Sequence, residues 1–260
     1  MKMDIVHFNR QMEERGWVLL QSVVPHDLIA RMRDDLEAAY GHCRNIQRRN
    51  GIAENTENTV HHLIGQGASF FDYLNEHYIH SYLESYFSGN YILNSFGAAL
   101  NRRDSNNYAH NIHRDVRTFV KDFPLMVNTL VMLDDFTVEN GATLLLGGSH
   151  HLEEKPEDAY FFTHAEPVLG AAGSVLIFNS NVWHAAGKSG SAANRRSVTP
   201  MYSRPFVKPQ FDYPRVLGYD RGGDFSAETR QVLGYDARIP ASLDEWYQPP
   251  EKRMYKARQG

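Results

Sequence analysis

Apolar residues in the first third of the chain recur three and four positions apart. From Tyr91 onward they gather instead into short runs separated by turn-forming residues. Residues 16–24 (GWVLLQSVV) are an early exception and predict a short buried strand. Pro25-His-Asp27 then opens a helix, with Pro near the first turn and an acid beside the positive helix end. Leu28, Ile29, Met32 and Leu36 give that helix one apolar stripe to about Tyr40, and Gly41 is expected to end it. Residues 41–60 are polar without a strong period and predict a loop, either near a site or at the surface. A second helical stripe runs through Phe70, Leu74, Tyr78, Tyr82, Leu83 and Tyr86, closed by Ser88-Gly-Asn90; such an aromatic stripe is core packing. Strands are expected at 91–101, 116–120, 126–133, 143–146, 174–178 and 197–203. Gly, Asn, Asp and Ser clusters part them, as in an all-β sandwich or barrel. The Pro-rich tail from 205 carries two Ser-capped helix candidates, Ser226–Leu233 and Ser242–Tyr247. The expected organisation is one domain over residues 1–260: an N-terminal helical layer, a β core at about 91–204 and a covering C-terminal segment.

Composition narrows the functional classes. A chain of 260 residues with 42 % hydrophobic and 22 % charged positions is an ordinary globular protein, and its many aromatics suit a β-rich core. The formal charge of −4 carries no basic surplus, which argues against nucleic acid as a partner. Cys43 is the only cysteine, so no intrachain disulfide can form and a reducing compartment fits. The N-terminus is too polar for a signal peptide, and no apolar run approaches the roughly twenty residues that cross a bilayer. The expectation is a soluble, cytoplasmic protein acting on a small molecule, with no membrane partner. Nothing in the sequence sets its oligomeric state.

The chemistry concentrates in His110-Asn-Ile-His-Arg-Asp115. On an extended backbone His113 and Asp115, two apart, project from one face. An imidazole and a carboxylate on one face are two of the three ligands of a 2-His-1-carboxylate site, which holds Fe(II) and leaves positions open for O2. The third candidate is His184, which follows strand 174–178 after an Asn179-Ser-Asn181 turn; the plainer reading is a core histidine beside Trp183, bonded to a backbone carbonyl. His151-x-Glu153 repeats the spacing but sits in a polar run, and His110, His61 and His62 are spare candidates. Arg195 opens the last apolar strand. A guanidinium near the metal would hold the remote carboxylate of a small dicarboxylate whose other end chelates iron. Arg196 would face the opposite way, and a basic pair at a strand edge can also serve only to discourage aggregation.

Four pieces together resemble the phytanoyl-CoA dioxygenase-like family of Fe(II)/2-oxoglutarate-dependent oxygenases. They are His113-Arg-Asp115; Glu139-Asn-Gly-Ala-Thr-Leu-Leu-Leu-Gly-Gly-Ser-His150; Trp183-His-Ala-Ala-Gly187; and Arg195 at its offset from His184. The resemblance implies a mainly β fold, a double-stranded β-helix (jelly-roll) core with flanking helices. It implies that His113, Asp115 and His184 bind Fe(II) and that Arg195, rather than Arg196, binds the C5 carboxylate of 2-oxoglutarate. Phe119 falls where relatives carry an aromatic against the cosubstrate, and Asn101 and Asn128 are further polar contacts. The family's Pro-Gly-Ser-His turn reads Gly147-Gly-Ser-His150 here, and Ala186 stands where a hydroxyl residue often helps to bind 2-oxoglutarate. An Asp at 115 argues against halogenation, which needs that position vacated. The implied reaction consumes O2 and 2-oxoglutarate, releases succinate and CO2, and hydroxylates an unactivated C–H bond of a small metabolite. Substrate selection is expected from loops 41–60 and 102–112 and the tail, with Arg117, Tyr202 and Arg204 as candidate contacts. Two other readings keep a jelly-roll: a cupin-like metalloenzyme that ignores 2-oxoglutarate, and a non-catalytic metabolite-binding domain.

Overall fold

The computed structural model describes residues 3–54, 56–103 and 108–259. Helix α1 (Ile5–Glu14) starts at Asp4, whose carboxylate accepts from the Val6 and His7 amides, and it buries Phe8 and Met12. Strand β1 (Trp17–Leu20) follows, then α2 (His26–Arg49). The α2 helix does not stop at Gly41. Asp27 in the first turn and Arg48 and Arg49 in the last suit the helix dipole, and the buried series continues through Ala39 to Gln47. A single interior Gly costs only about 1 kcal/mol against Ala, less than two further turns of packed helix return. Half of the expected 41–60 loop is therefore helical. Gln47 closes the helix onto the sheet by donating to Thr59 O at 3.2 Å in β2 (Thr59–Val60).

The second aromatic stripe is split into α3 (Ala68–Asn75) and α4 (His80–Phe87), because His77 turns the backbone into the left-handed region at φ 50°. Strand β3 (Ile92–Asn101) begins the sheet core. No strand forms at 116–120, where the chain bends, and β4 (Met126–Met132) comes next. The remaining core elements are β5 (Leu144–Leu145), a helix α5 (Asp158–His164) just past the polar run around His151-x-Glu153, β6 (Glu166–Pro167), β7 (Val175–Asn179), β8 (His184–Ala185) and β9 (Arg195–Ser203). The tail adds short helices α6 (Tyr213–Leu217), α7 (Ala227–Val232) and α8 (Leu243–Trp246), the last two capped by Ser226 and Ser242.

The strands form two antiparallel sheets, a six-stranded one in the order β1-β7-β4-β9-β3-β2 and a three-stranded one in the order β6-β5-β8. Helices contribute more residues than strands, so the expectation of a mainly β chain gives way to antiparallel sheet with a substantial helical layer. One apolar cluster joins that layer to the large sheet, through Phe8, Met32, Leu36, Phe70 and Phe87 against Val131, Ile177 and Val198. A second lies between the sheets, through Leu130, Met132, Leu176 and Phe178 against Leu145 and Val182. Alternation does the sorting. Val131, Ile177 and Val198 face the helices, and their neighbours Leu130, Leu176 and Phe178 face the small sheet. No helix among the described residues is long and apolar enough to cross a membrane.

Candidate active site

Between the sheets lies a cavity of about 420 Å³. His113, Asp115 and His184 meet at it, with one ligand-type atom from each lying within 4.8 Å of the others, and they are the group of this kind among the described residues. Their meeting does not depend on a regular strand. His113 and His184 form an isolated antiparallel bridge, with His113 N donating to His184 O at 3.0 Å and His184 N to His113 O at 2.9 Å. Asp115 N donates to Ser180 O at 3.1 Å, so the turn after β7 fixes the acid as well. The bridge brings the two imidazoles together, centroids 4.2 Å apart and planes inclined at 48°, and Phe178 meets His184 edge-on at 5.0 Å.

Hydrogen bonds orient both rings. His113 Nδ1 lies 2.7 Å from Asn111 O and His184 Nδ1 lies 2.9 Å from Val182 O. A carbonyl can only accept, so each Nδ1 carries a proton and each Nε2 is the nitrogen turned toward Asp115. His184 Nε2 is 3.4 Å from Asp115 Oδ2, and His113 Nε2 is 3.8 Å from Asp115 Oδ1. Burial lowers the His184 pKa to about 4, with Asp115 opposing that effect and His113 adding to it. The ring is neutral near pH 7. Two imidazole Nε2 atoms and a carboxylate converge on one point, and this set of ligand types fits a divalent cation of the Fe(II) type. Asn128 Nδ2 donates to Asp115 Oδ2, which holds the carboxylate from outside the cluster.

Arg195 enters the same cavity from β9 and is only 3 % exposed. Its Nη1 donates to Thr143 Oγ1 at 3.2 Å, its guanidinium packs on the Phe136 ring at 4.3 Å, and its Nε is buried without an acceptor. No carboxylate among the described residues pairs with it. The nearby acid, Asp134, is taken by Arg196 at 2.9 Å and Arg33 at 3.2 Å. Burial pushes the Arg195 pKa down to about 9, against the pull of Asp134. A buried cation lacking a counter-charge is costly, and the cavity beside it is where an anion would complete it. Alternation along β9 explains the pair at 195 and 196: Arg195, Ser197, Thr199 and Met201 line the cavity, and Arg196 lies on the outer face with Asp134 and Glu37.

The other sequence-derived candidates divide. Asn128 and Arg117 line the cavity, although Arg117 does so from a bend rather than from a strand shared with His113. Asn101 sits opposite Arg195 in the β3–β9 register, but its amide donates to the Asn140, Gly141 and Gly187 carbonyls and clamps two loops together. Phe119 lies outside the cavity under the Arg114 guanidinium, because the expected strand is a bend that turns it away. Tyr202 is 3 % exposed and meets Tyr91 edge-on in the helix-facing core, since it shares its face with Arg196. Arg204 donates to Pro124 O at 3.2 Å and packs on Phe123, away from the cavity. In the 41–60 and 102–112 segments, residues 55 and 104–107 lie outside the described residues.

Several cavity residues carry no distinctive sequence signal. Thr143 sits inside a recognised motif but shows its partner only in three dimensions. Gly97 on β3 leaves room where a Cβ would come within 3.0 Å of Thr199 Oγ1 and 3.3 Å of His61 Nδ1. His61 and Gln210 line the wall from β2's end and from the tail.

Residues 12–197 match the phytanoyl-CoA dioxygenase (PhyH) family, and the chain belongs to it. Proteins of that family are dioxygenases that use Fe(II), 2-oxoglutarate and O2, and the cluster of His113, Asp115 and His184 is of the kind that could hold such a metal. The uncharacterized protein Rv1501 of Mycobacterium tuberculosis is 41 % identical over 148 residues, covering 57 % of this chain and 54 % of that protein. The aligned stretch thus spans about half the length of that relative. Dioxygenase olcK of Penicillium canescens is 29 % identical over 231 residues, covering 79 % of this chain and 74 % of its own. Among solved structures, HygX from Streptomyces hygroscopicus, with nickel and 2-oxoglutarate bound, superposes with a TM-score of 0.61 at 15 % identity, over 80 % of this chain and 90 % of its own. That likeness is one of fold.

Proposed function

We propose that residues 1–260 form one Fe(II)- and 2-oxoglutarate-dependent oxygenase domain, its two sheets being the double-stranded β-helix of that family. It hydroxylates an unactivated C–H bond of a small-molecule metabolite and releases succinate and CO2. His113, Asp115 and His184 are the residues that would hold the iron. When bound, the metal and its cosubstrate supply the oxidising chemistry, in which O2 is reduced as 2-oxoglutarate is decarboxylated. The chain's own groups do the positioning. The Val182 and Asn111 carbonyls keep both imidazoles in the δ-protonated form that coordinates through Nε2. Asn128 holds the Asp115 carboxylate in place. Arg195, steadied by Thr143 and Phe136, anchors the far carboxylate of 2-oxoglutarate through charge-assisted hydrogen bonds. Phe178 and Leu130 keep water from the inner wall, and Arg117 with His61 at the cavity wall faces the substrate.

The observation that carries this reading is the buried Arg195 guanidinium, without a carboxylate partner among the described residues, in the same cavity as three converging metal-type ligands. A jelly-roll metalloenzyme indifferent to 2-oxoglutarate would have no use for that unpaired charge. Anaerobic titration of the protein with Fe(II) and then 2-oxoglutarate tests it. A visible charge-transfer band should develop with both present and be absent in His184→Ala. Failure of the wild-type protein to give the band, or a band indifferent to His184→Ala, overturns the assignment. A metabolite screen following O2-dependent succinate release then identifies the substrate class.

A further inference from the structure

Past the stretch that matches the family, the tail encloses a second cavity of about 440 Å³, as large as the one holding the candidate metal centre. Only Ile92 and Leu93, at the start of β3, reach it from the core; every other wall residue lies between 205 and 255. A pocket of this size is in the range that takes a small organic ligand. Its walls are aromatic, with Phe206, Phe211, Tyr213 and Tyr219 among them, and its apolar character is interrupted by four charged side chains.

The four charges are not equivalent. Both acids are already engaged. Asp212 Oδ1 accepts from Arg215 N at 3.1 Å at the start of α6, and Glu245 Oε2 accepts from Ala241 N at 2.5 Å. Neither cation, Lys208 or Arg238, has an ion pair among the described residues. Arg238 packs its guanidinium over the Tyr219 ring at 4.0 Å, and its Nε is buried with no acceptor. A concave aromatic wall whose two acids are turned onto backbone amides, with a lysine unpaired among the described residues and a guanidinium whose Nε lacks an acceptor, suits a flat or extended apolar body bearing one acidic group. The two cavities adjoin without a common lining residue. Phe211 stacks on His62 at 4.2 Å and 9°, while their chain neighbours Gln210 and His61 line the metal cavity.

We propose that this C-terminal cavity is a second ligand site, separate from the iron centre, for an amphipathic carboxylate whose acid group is held by Arg238. Calorimetric titration of the full chain, loaded with Mn(II) and saturating 2-oxoglutarate, with 2-naphthoate and the uncharged 2-naphthamide tests it. The carboxylate should bind one to one and about tenfold tighter than the amide, the worth of one charge-assisted bond. Arg238→Gln should erase that preference while leaving amide binding unchanged. Ala241→Trp, which fills an exposed edge of the cavity, should abolish binding of both probes without altering the affinity for 2-oxoglutarate. Absence of saturable binding, competition by 2-oxoglutarate, or an unchanged preference in Arg238→Gln would each overturn the proposal.

Discussion

Replacing Arg195 by Met should make the ligand-free protein no less stable while removing its response to 2-oxoglutarate. The side chain is 3 % exposed and holds one hydrogen bond, to Thr143, and one aromatic contact, to Phe136. A buried ion costs several kcal/mol, and exchanging buried charge for packed apolar volume is often neutral or stabilising by about 1–4 kcal/mol. At about 2–4 °C per kcal/mol for a chain of this size, the variant's melting temperature should be unchanged or several degrees higher. Cosubstrate binding moves the other way. Truncating one partner of a buried, hydrogen-bonded charge pair costs about 2–5 kcal/mol, or roughly 30-fold and upward in Kd. With Mn(II) bound and 2-oxoglutarate at about 100 times the wild-type Kd, the wild type gains about 2.7 kcal/mol; a 30-fold weaker variant gains less than about 1 kcal/mol. Thermal melts with and without 2-oxoglutarate therefore separate the two effects. A variant that keeps the wild-type shift would show that Arg195 does not anchor the cosubstrate. One that melts far lower without ligand would show that the guanidinium is a structural cation.

Three further outcomes follow from the same geometry. Asn128→Leu removes the donor to Asp115 and should weaken metal binding about 10–100-fold, read by Mn(II) titration, with a normal far-UV spectrum; unchanged affinity would make that contact incidental. Gly97→Val should leave 2-oxoglutarate binding intact but suppress substrate-stimulated succinate release, because the new side chain crowds Thr199 and His61; equal activity would place the substrate elsewhere in the cavity. Burial holds His62, His150 and His184 near pKa about 4, below their ordinary 6.5. The unfolded chain therefore takes up protons that the metal-free fold refuses, and stability falls as pH drops from about 6.5 toward 4. The melting temperature should decline between pH 6.5 and 5, with a shallower slope in His150→Asn; a flat profile would contradict the burial argument.

Much of the site was legible because its residue types are tied to short motifs, whereas the fold's boundaries were set by long-range packing. The helical stripe from Leu28 to Leu36 is visible in the sequence, but its continuation past Gly41 rests on contacts such as Gln47 with Thr59. The stripe from Phe70 to Tyr86 has a single rhythm, yet a left-handed residue at His77 divides it. Side-chain parity along β9 separates the two faces. Counting by two from Arg195 leads to Met201 and not to Tyr202, and that parity survives Pro200 because the register irregularity lies at Leu93/Ser95 in β3. Pro200 instead opens a gap on the β4 side, where the paired positions jump from Met201 to Val198 and Thr129 Oγ1 donates to the Pro200 carbonyl at 2.7 Å. At 116–120 the chain bends and forms no strand, so the aromatic that the family resemblance sets against the cosubstrate turns away. That is why Phe119 falls outside the cavity.

The absence of a strand at 116–120 also shows what holds the three candidate ligands. A site built from alternate residues of one regular strand would have moved with that strand's ending. Here each ligand is pinned locally: His113 and His184 by their mutual backbone bridge, and Asp115 by Ser180 O. Both partner segments leave the end of β7, whose pairing with β4 carries Asn128 opposite Phe178. The end of β7 and the turn after it thus deliver the ring of Phe178, the backbone acceptor for the acid and the second histidine from one place in the large sheet. The segment His113–Asp115, whose spacing reads as a strand in sequence, is a loop laid across that turn. Its dependence on one turn makes the geometry robust to the polar, weakly patterned chain that precedes it.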